Sequence, residues 1–189
     1  MTDRRAELLD GATAWVLEHG LATLSLRPVA KALGTSDRML LYWFGSRDGL
    51  LAAIAEHAGE GLSLALPVVD PTAPPPTARA WLDQCWALFS DPLVRPGLAL
   101  LFELDALGAR APGPARDAAR RTADRWVEVV DGALAVVGVP ETGRLPLSRV
   151  VAAAMVGLIL DDLVGDPGPR PDAELELLSR LVDDAATRT

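Results

Sequence analysis

An all-α fold is predicted by three observations: apolar residues recur at helical spacing, glycine and proline cut the chain at short intervals, and no stretch alternates apolar and polar residues with period two. Within that class the pattern divides into an N-terminal three-helix head, built around a helix-turn-helix, joined to a C-terminal helical bundle.

Leu8, Leu9, Ala12, Trp15, Val16 and His19 share one helical face and Gly20 ends their run, so residues 3–19 are expected to form an amphipathic first helix. Ser25 is expected to cap a short second helix, 26–33, whose first turn accommodates Pro28 because N–H groups there have no intrahelical partner. Gly34 stops it. Ser36 caps a third helix through Phe44, and Gly45 ends that one. Ser46 caps a longer fourth helix, with Asp48 in its first turn and Leu50, Leu51, Ile54 and Ala58 as its buried stripe. Five prolines between Pro67 and Pro76 exclude a helix and mark a connector. Further helices are expected at 77–90, 93–110, 114–137, 146–164 and 173–187, separated by Pro- and Gly-containing breaks. The chain therefore reads as a head (1–48), a connecting helix and Pro-rich linker (49–75), and a bundle (76–189).

Half of the 189 residues are apolar and 23% are charged, which is a globular composition. The longest unbroken apolar run, Val150 to Leu160, is eleven residues. A bilayer needs roughly 20, so no membrane contact is expected. Met1 to Arg5 begin no signal peptide, and a cytoplasmic protein is expected. The single cysteine, Cys85, excludes an internal disulfide and a zinc site of paired cysteines. No glycine loop for a phosphate-bearing cofactor is present, and no cofactor is expected.

The net charge of −8 is unevenly placed. Residues 1–50 hold six basic side chains (Arg4, Arg5, Arg27, Lys31, Arg38, Arg47) and six acidic ones (Asp3, Glu7, Asp10, Glu18, Asp37, Asp48). The remainder holds twelve basic and twenty acidic residues, so the whole excess lies outside the head. Phosphate repels an acidic body, which leaves the neutral head as the face able to meet nucleic acid. Two short helices that cross steeply need a small residue at the crossing, a turn residue able to take positive φ, and apolar residues holding the angle. Ala30, Gly34, and Val29, Leu33, Leu40 and Trp43 supply these. Arg27 and Lys31 are a like-charged i, i+4 pair, mildly unfavourable in an isolated helix and favourable against a polyanion. Arg4 and Arg5 at the positive end of the first helix follow the same logic.

The stretch Leu24 to Leu51, with Gly34-Thr35-Ser36, Leu40, Tyr42-Trp43-Phe44, Ser46-Arg47 and Leu50-Leu51, resembles the N-terminal domain of TetR-family transcriptional regulators. The chain departs from that pattern at one position: Leu41 stands where the family usually has tyrosine, and the tyrosine is displaced to Tyr42. The resemblance implies a recognition helix whose Ser36, Asp37, Arg38 and Tyr42 face the bases. Arg38 suits a bidentate contact to guanine, and Asp37 suits either a cytosine amino group or simple capping of the helix. Arg27, Lys31, Trp43 and Arg47 are assigned to phosphate.

The apolar run of the 146–164 helix must be covered on both sides. Its small residues permit close approach of a second helix, and with the last helix it is expected to form a dimer interface through Val150, Ala153, Ala154, Gly157, Leu158, Leu178 and Leu181. The alternative is a central core helix in a monomer. A homodimer matches the family, which implies binding to a palindromic operator in double-stranded DNA and a ligand-binding bundle that moves the heads. Trp81, Cys85, Phe89, Phe102, Glu103 and Trp126 either line a pocket for a small, mostly apolar effector or belong to ordinary core.

Catalytic and metal-binding constellations are not expected. His19 and His57 are far apart, no nucleophile motif is present, and Asp161, Asp162 and Asp166 lack a histidine companion. The sequence thus points to a ligand-responsive regulator, most commonly a repressor in that family. The rival is a helical ligand-sensing or protein-interaction module that does not bind DNA.

Overall fold

The computed structural model describes residues 4–65, 77–110, 112–165 and 170–187, and every regular element among them is helical. The α-helices are α1 (Arg4–His19), α2 (Leu26–Ala32), α3 (Asp37–Phe44), α4 (Arg47–Ala65), α5 (Ala78–Phe89), α6 (Arg95–Arg110), α7 (Pro114–Val136), α8 (Glu141–Val164) and α9 (Asp172–Ala186). The expected connector at 67–76 and most of the break at 165–169 lie outside the described residues.

Three local features differ from the sequence pattern. A one-turn 3-10 helix, Leu21–Thr23, joins α1 to α2, in a segment too short to carry a periodic signal. Helix α8 starts at Glu141, but Thr142 and Gly143 leave helical geometry, so the continuous helix begins only beyond Gly143. Pro146 then sits in its first turn, where its missing N–H breaks no bond. Ser25 occupies the N-cap position of α2 without a side-chain hydrogen bond. The third helical position is Pro28, which has no N–H to give. Ser36 and Ser46 do cap, accepting from the Met39 amide (3.3 Å) and the Gly49 amide (2.9 Å).

The chain divides into two compact units: Met1–Leu62 with Pro96–Ala123, and Ser63–Arg95 with Asp124–Thr189. In the first, Leu8, Ala12 and Val16 of α1, Val29 and Ala30 of α2, Leu40 and Phe44 of α3, and Leu50, Leu51 and Ile54 of α4 form one core, which Leu100, Leu104 and Ala118 complete. The buried hydroxyl of Thr13 donates to the Leu9 carbonyl (2.9 Å). His19 stacks on Trp15 (4.5 Å between ring centres), and its Nδ1 lies 2.9 Å from the Trp15 carbonyl, at the carboxyl end of α1. His57 lies on α4 and meets Asp10 at 3.0 Å.

In the second unit α5 packs on α9. Arg79 bridges them, reaching Asp83 (2.8 Å), Asp172 (2.9 Å) and Glu176 (3.3 Å). Its hydrogen bond to Asp83 is the largest influence raising the Arg79 pKa above its usual value. The buried Ser148 of α8 lies 3.0 Å from the Asp131 carboxylate, which also accepts from Arg144 Nε (3.1 Å).

Leu40 is fully buried at the centre of the first core. Leu40→Ala is expected to destabilise the protein by about 2–5 kcal/mol, read as a lower denaturation midpoint in urea. A change under 0.5 kcal/mol contradicts that placement.

Candidate nucleic-acid interface

Helices α2 and α3 pack on each other through a turn that closes on Gly34. The Thr35 amide donates to the Ala30 carbonyl (2.9 Å) and Gly34 takes φ 61°, the left-handed region in which a side chain is strained. Ala30 at the crossing is buried. At the far end of α3 the chain turns at once into α4. A Cβ at Gly49 would fall on the Phe44 carbonyl oxygen, so only glycine lets this corner close.

Helix α3 is two-faced. Leu40 and Phe44 are buried in the core, with Trp43 packed half-buried beside them. The opposite side is open: Ser36, Arg38, Met39, Leu41 and Tyr42 are exposed, and Tyr42 is 74% exposed. Of the residues assigned to bases, Ser36, Arg38 and Tyr42 therefore lie on one accessible surface, while Asp37 is half-buried in the first turn. Arg27 and Lys31 are exposed one turn apart on α2 and, like Arg38, make no ion pair among the described residues.

Two of the residues assigned to phosphate have structural partners. Arg47 Nε donates to the Leu24 carbonyl (3.1 Å), tying the start of α4 to the segment before α2. Trp43 meets Tyr42 edge-on (ring centres 5.1 Å apart), and its indole nitrogen is buried with no hydrogen-bond partner among the described residues. Arg5 lies over the Phe44 ring (5.4 Å) and Arg4 pairs with Glu7 (3.0 Å), so both arginines help hold the start of α1. Met39, which the pattern leaves unassigned, sits exposed beside Arg38. A methionine in an apolar-rich stretch reads as core, and only the helix orientation moves it to the outer face.

In the second unit Trp81, Cys85, Phe89 and Trp126 are buried, and Phe89 and Trp126 meet at 5.3 Å. The Trp81 indole nitrogen has no acceptor among the described residues. Phe102 is half-buried and Glu103 exposed, both in the first unit. A cleft of about 300 Å³ lies among Val139, Pro140, Thr142, Gly143, Leu147, Leu181 and Ala185. On α8, Val151, Ala152, Met155 and Ile159 are buried, whereas Val150, Ala153, Gly157 and Leu160 are exposed. Leu181 on α9 is exposed too. Ala154 and Leu158 are half-buried, and Leu178 is buried within its own unit. Asp162 is held by Arg95, whose Nη2 also donates to the Asp162 carbonyl (2.9 Å). No group of three or more acidic, histidine or cysteine side chains able to hold a metal occurs among the described residues. No described helix is long and apolar enough to cross a membrane.

Residues 8–59 match the family model of bacterial regulatory proteins, tetR family. The multidrug binding protein EbrR complexed with ethidium is 27% identical, with a TM-score of 0.73 over 95% of this chain and 98% of that one. A member of the TetR family from Streptomyces coelicolor A3 is likewise 27% identical (TM-score 0.71; 95% and 98% covered). A TetR-family regulator from Rhodococcus sp., 22% identical, shares the fold over 99% of this chain and all of that one (TM-score 0.71). No protein of curated function matches.

Burial pushes the Cys85 thiol up to about 12, far above the usual range, so at neutral and mildly alkaline pH it stays protonated. Cys85 is expected to resist thiol-specific alkylation at pH 8 in the folded protein and to react fully in denaturant. Rapid labelling of the native chain contradicts this burial.

Proposed function

We propose that this chain, whose residues 8–59 match the family model of bacterial regulatory proteins, tetR family, is a member of that family and acts as a cytoplasmic, ligand-responsive repressor that binds a palindromic operator as a homodimer. The observation that carries this reading is the two-faced α3. Its apolar side is built into the head core, while Arg38 and Tyr42 are exposed on the other, beside Arg27 and Lys31, which make no ion pair among the described residues. An arrangement of this kind suits a helix whose outer surface meets a polyanion. In it, Ser36, Arg38 and Tyr42 face the bases, with Asp37 at the helix start. Arg27 and Lys31 grip phosphate, and Arg47, which braces the head through Nε and lies 3.7 Å from the Asp48 carboxylate through Nη1, offers its Nη2.

The domain division that goes with this reading is a DNA-binding head over 1–48, a connection over 49–75, and a ligand-binding and dimerisation part over 76–189. The exposed apolar side of α8, with Leu181 of α9, supports a second copy as its cover. Val150, Ala153 and Gly157 form a shallow face that lets another helix approach closely. For the effector, the buried aromatic set of Trp81, Phe89 and Trp126 supports a small, mostly apolar molecule. The Trp81 N–H, without an acceptor among the described residues, favours one that carries a hydrogen-bond acceptor. The multidrug binding protein EbrR is complexed with ethidium and with proflavin, both planar aromatic cations.

Binding to duplexes selected from the region upstream of the gene tests the reading. Two heads with about three phosphate contacts each predict roughly a thousandfold loss of affinity between 50 and 200 mM salt. Arg38→Ala is expected to relax base preference at one position by about 1–3 kcal/mol. Equal, weak binding to every sequence favours the rival module that does not read DNA.

The dimer has its own test. Gly157→Glu places a carboxylate on the exposed face of α8 and is expected to give a monomer by sedimentation with secondary structure unchanged, and to weaken operator binding at least tenfold. A wild-type chain that is monomeric at micromolar concentration removes the palindrome from the reading.

A further inference from the structure

The open side of α3 is not uniformly polar. Met39 is 38% and Leu41 41% exposed, so with Tyr42 three large apolar or aromatic side chains of an eight-residue helix meet the surface. Leu40 and Phe44 mark the buried side. At 3.6 residues per turn, Tyr42 then stands at the centre of the outer face with Arg38 one turn before it; Met39 lies beside both, and Leu41 sits on the flank nearer the core. Met39 is also the position that Ser36 caps, so its backbone is held in the first turn. That end of a recognition helix enters the major groove.

Apolar and aromatic side chains clustered on one exposed face of so short a helix mark an interaction surface. The surrounding residues decide for which partner: Arg27, Lys31 and Arg38, all exposed and without an ion pair among the described residues, make it complementary to a polyanion. In the major groove, the apolar feature on a base edge is the C5 methyl group of thymine. A methionine is unbranched and polarizable, and adapts to such a contact.

We propose that Met39 is a specificity-determining residue that packs on the C5 methyl of a thymine neighbouring the base read by Arg38. This rests on the operator binding proposed above.

The test starts from half-sites selected by the full chain out of a randomised duplex library. Each thymine is then replaced by deoxyuridine, which removes the methyl and nothing else. One thymine per half-site is expected to weaken binding about fourfold when its methyl is lost, the effect of uncovering one carbon group. Met39→Ala, with an unchanged melting temperature because the side chain is exposed, is expected to bind thymine and deoxyuridine duplexes equally at that position. Met39→Leu, which stays apolar, is expected to keep most of the discrimination. Deoxyuridine that is silent everywhere, or full discrimination retained by Met39→Ala, overturns the proposal. If Met39→Ala lowers self-association and leaves methyl discrimination intact, a second copy covers this face and the proposal is wrong. Failure to select any duplex removes operator binding itself and is distinguishable from these outcomes.

Discussion

Helix α3 has eight residues, too few to be stable in water by its own hydrogen bonds. Its conformation depends on the burial of Leu40 and Phe44 against α1, α2 and α4, a contact that forms only because Gly34 turns tightly on one side and Gly49 admits the Phe44 carbonyl on the other. Once that seam is closed, the opposite face of α3 is defined as a surface, and the side chains on it no longer contribute to the core. They are free to be chosen for what they touch outside. The two-sided character of this one short helix sets the whole arrangement of the head.

Electrostatics follow the same division of labour. In the first unit several charges are already engaged: Arg4 with Glu7, Asp10 with His57, and Glu56 with Arg121, whose Nε reaches it at 2.7 Å. Arg116 satisfies the last carbonyls of α6, donating to Gly108 (2.9 Å) and Ala109 (3.0 Å). Among the described residues Arg27, Lys31 and Arg38, around the α2–α3 turn, make no ion pair. A net-neutral head can therefore present three exposed cations around this turn, with Asp37 at the start of α3 as the acid beside them.

Helix α8 poses the complementary problem, an apolar segment with more hydrophobic surface than one core can cover. Its own unit takes Val151, Ala152, Met155 and Ile159, and the side carrying Val150, Ala153, Gly157 and Leu160 stays open. The hydrogen-bonded group of Ser148, Asp131 and Arg144 near its start fixes how the helix is rotated, and so fixes which side is open.

Much of the fold was legible in the sequence. Helical periodicity and the stops at Gly20, Gly34 and Gly45 located the helices, because they reflect local backbone preferences that tertiary contacts left intact. The Leu24-to-Leu51 pattern carried the family resemblance, and the charge count separated the head from the acidic remainder. Other features were decided by tertiary structure. The first unit draws Leu100, Leu104 and Ala118 from α6 and α7 into its core, a pairing across some fifty residues that no local window encodes. Arg47 and Arg5, which composition counts simply as cations, turn out to brace the Leu24 carbonyl and the Phe44 ring. Ser25 sits at the cap position yet makes no side-chain cap bond, and Pro28 at the third helical position offers it no N–H. Met39, apolar by type, is placed on the outer face by the rotation of α3 about its axis, and that rotation is set by which neighbours bury Leu40 and Phe44. The sequence determined which segments are helical; packing determined which side of each helix remained available to another molecule.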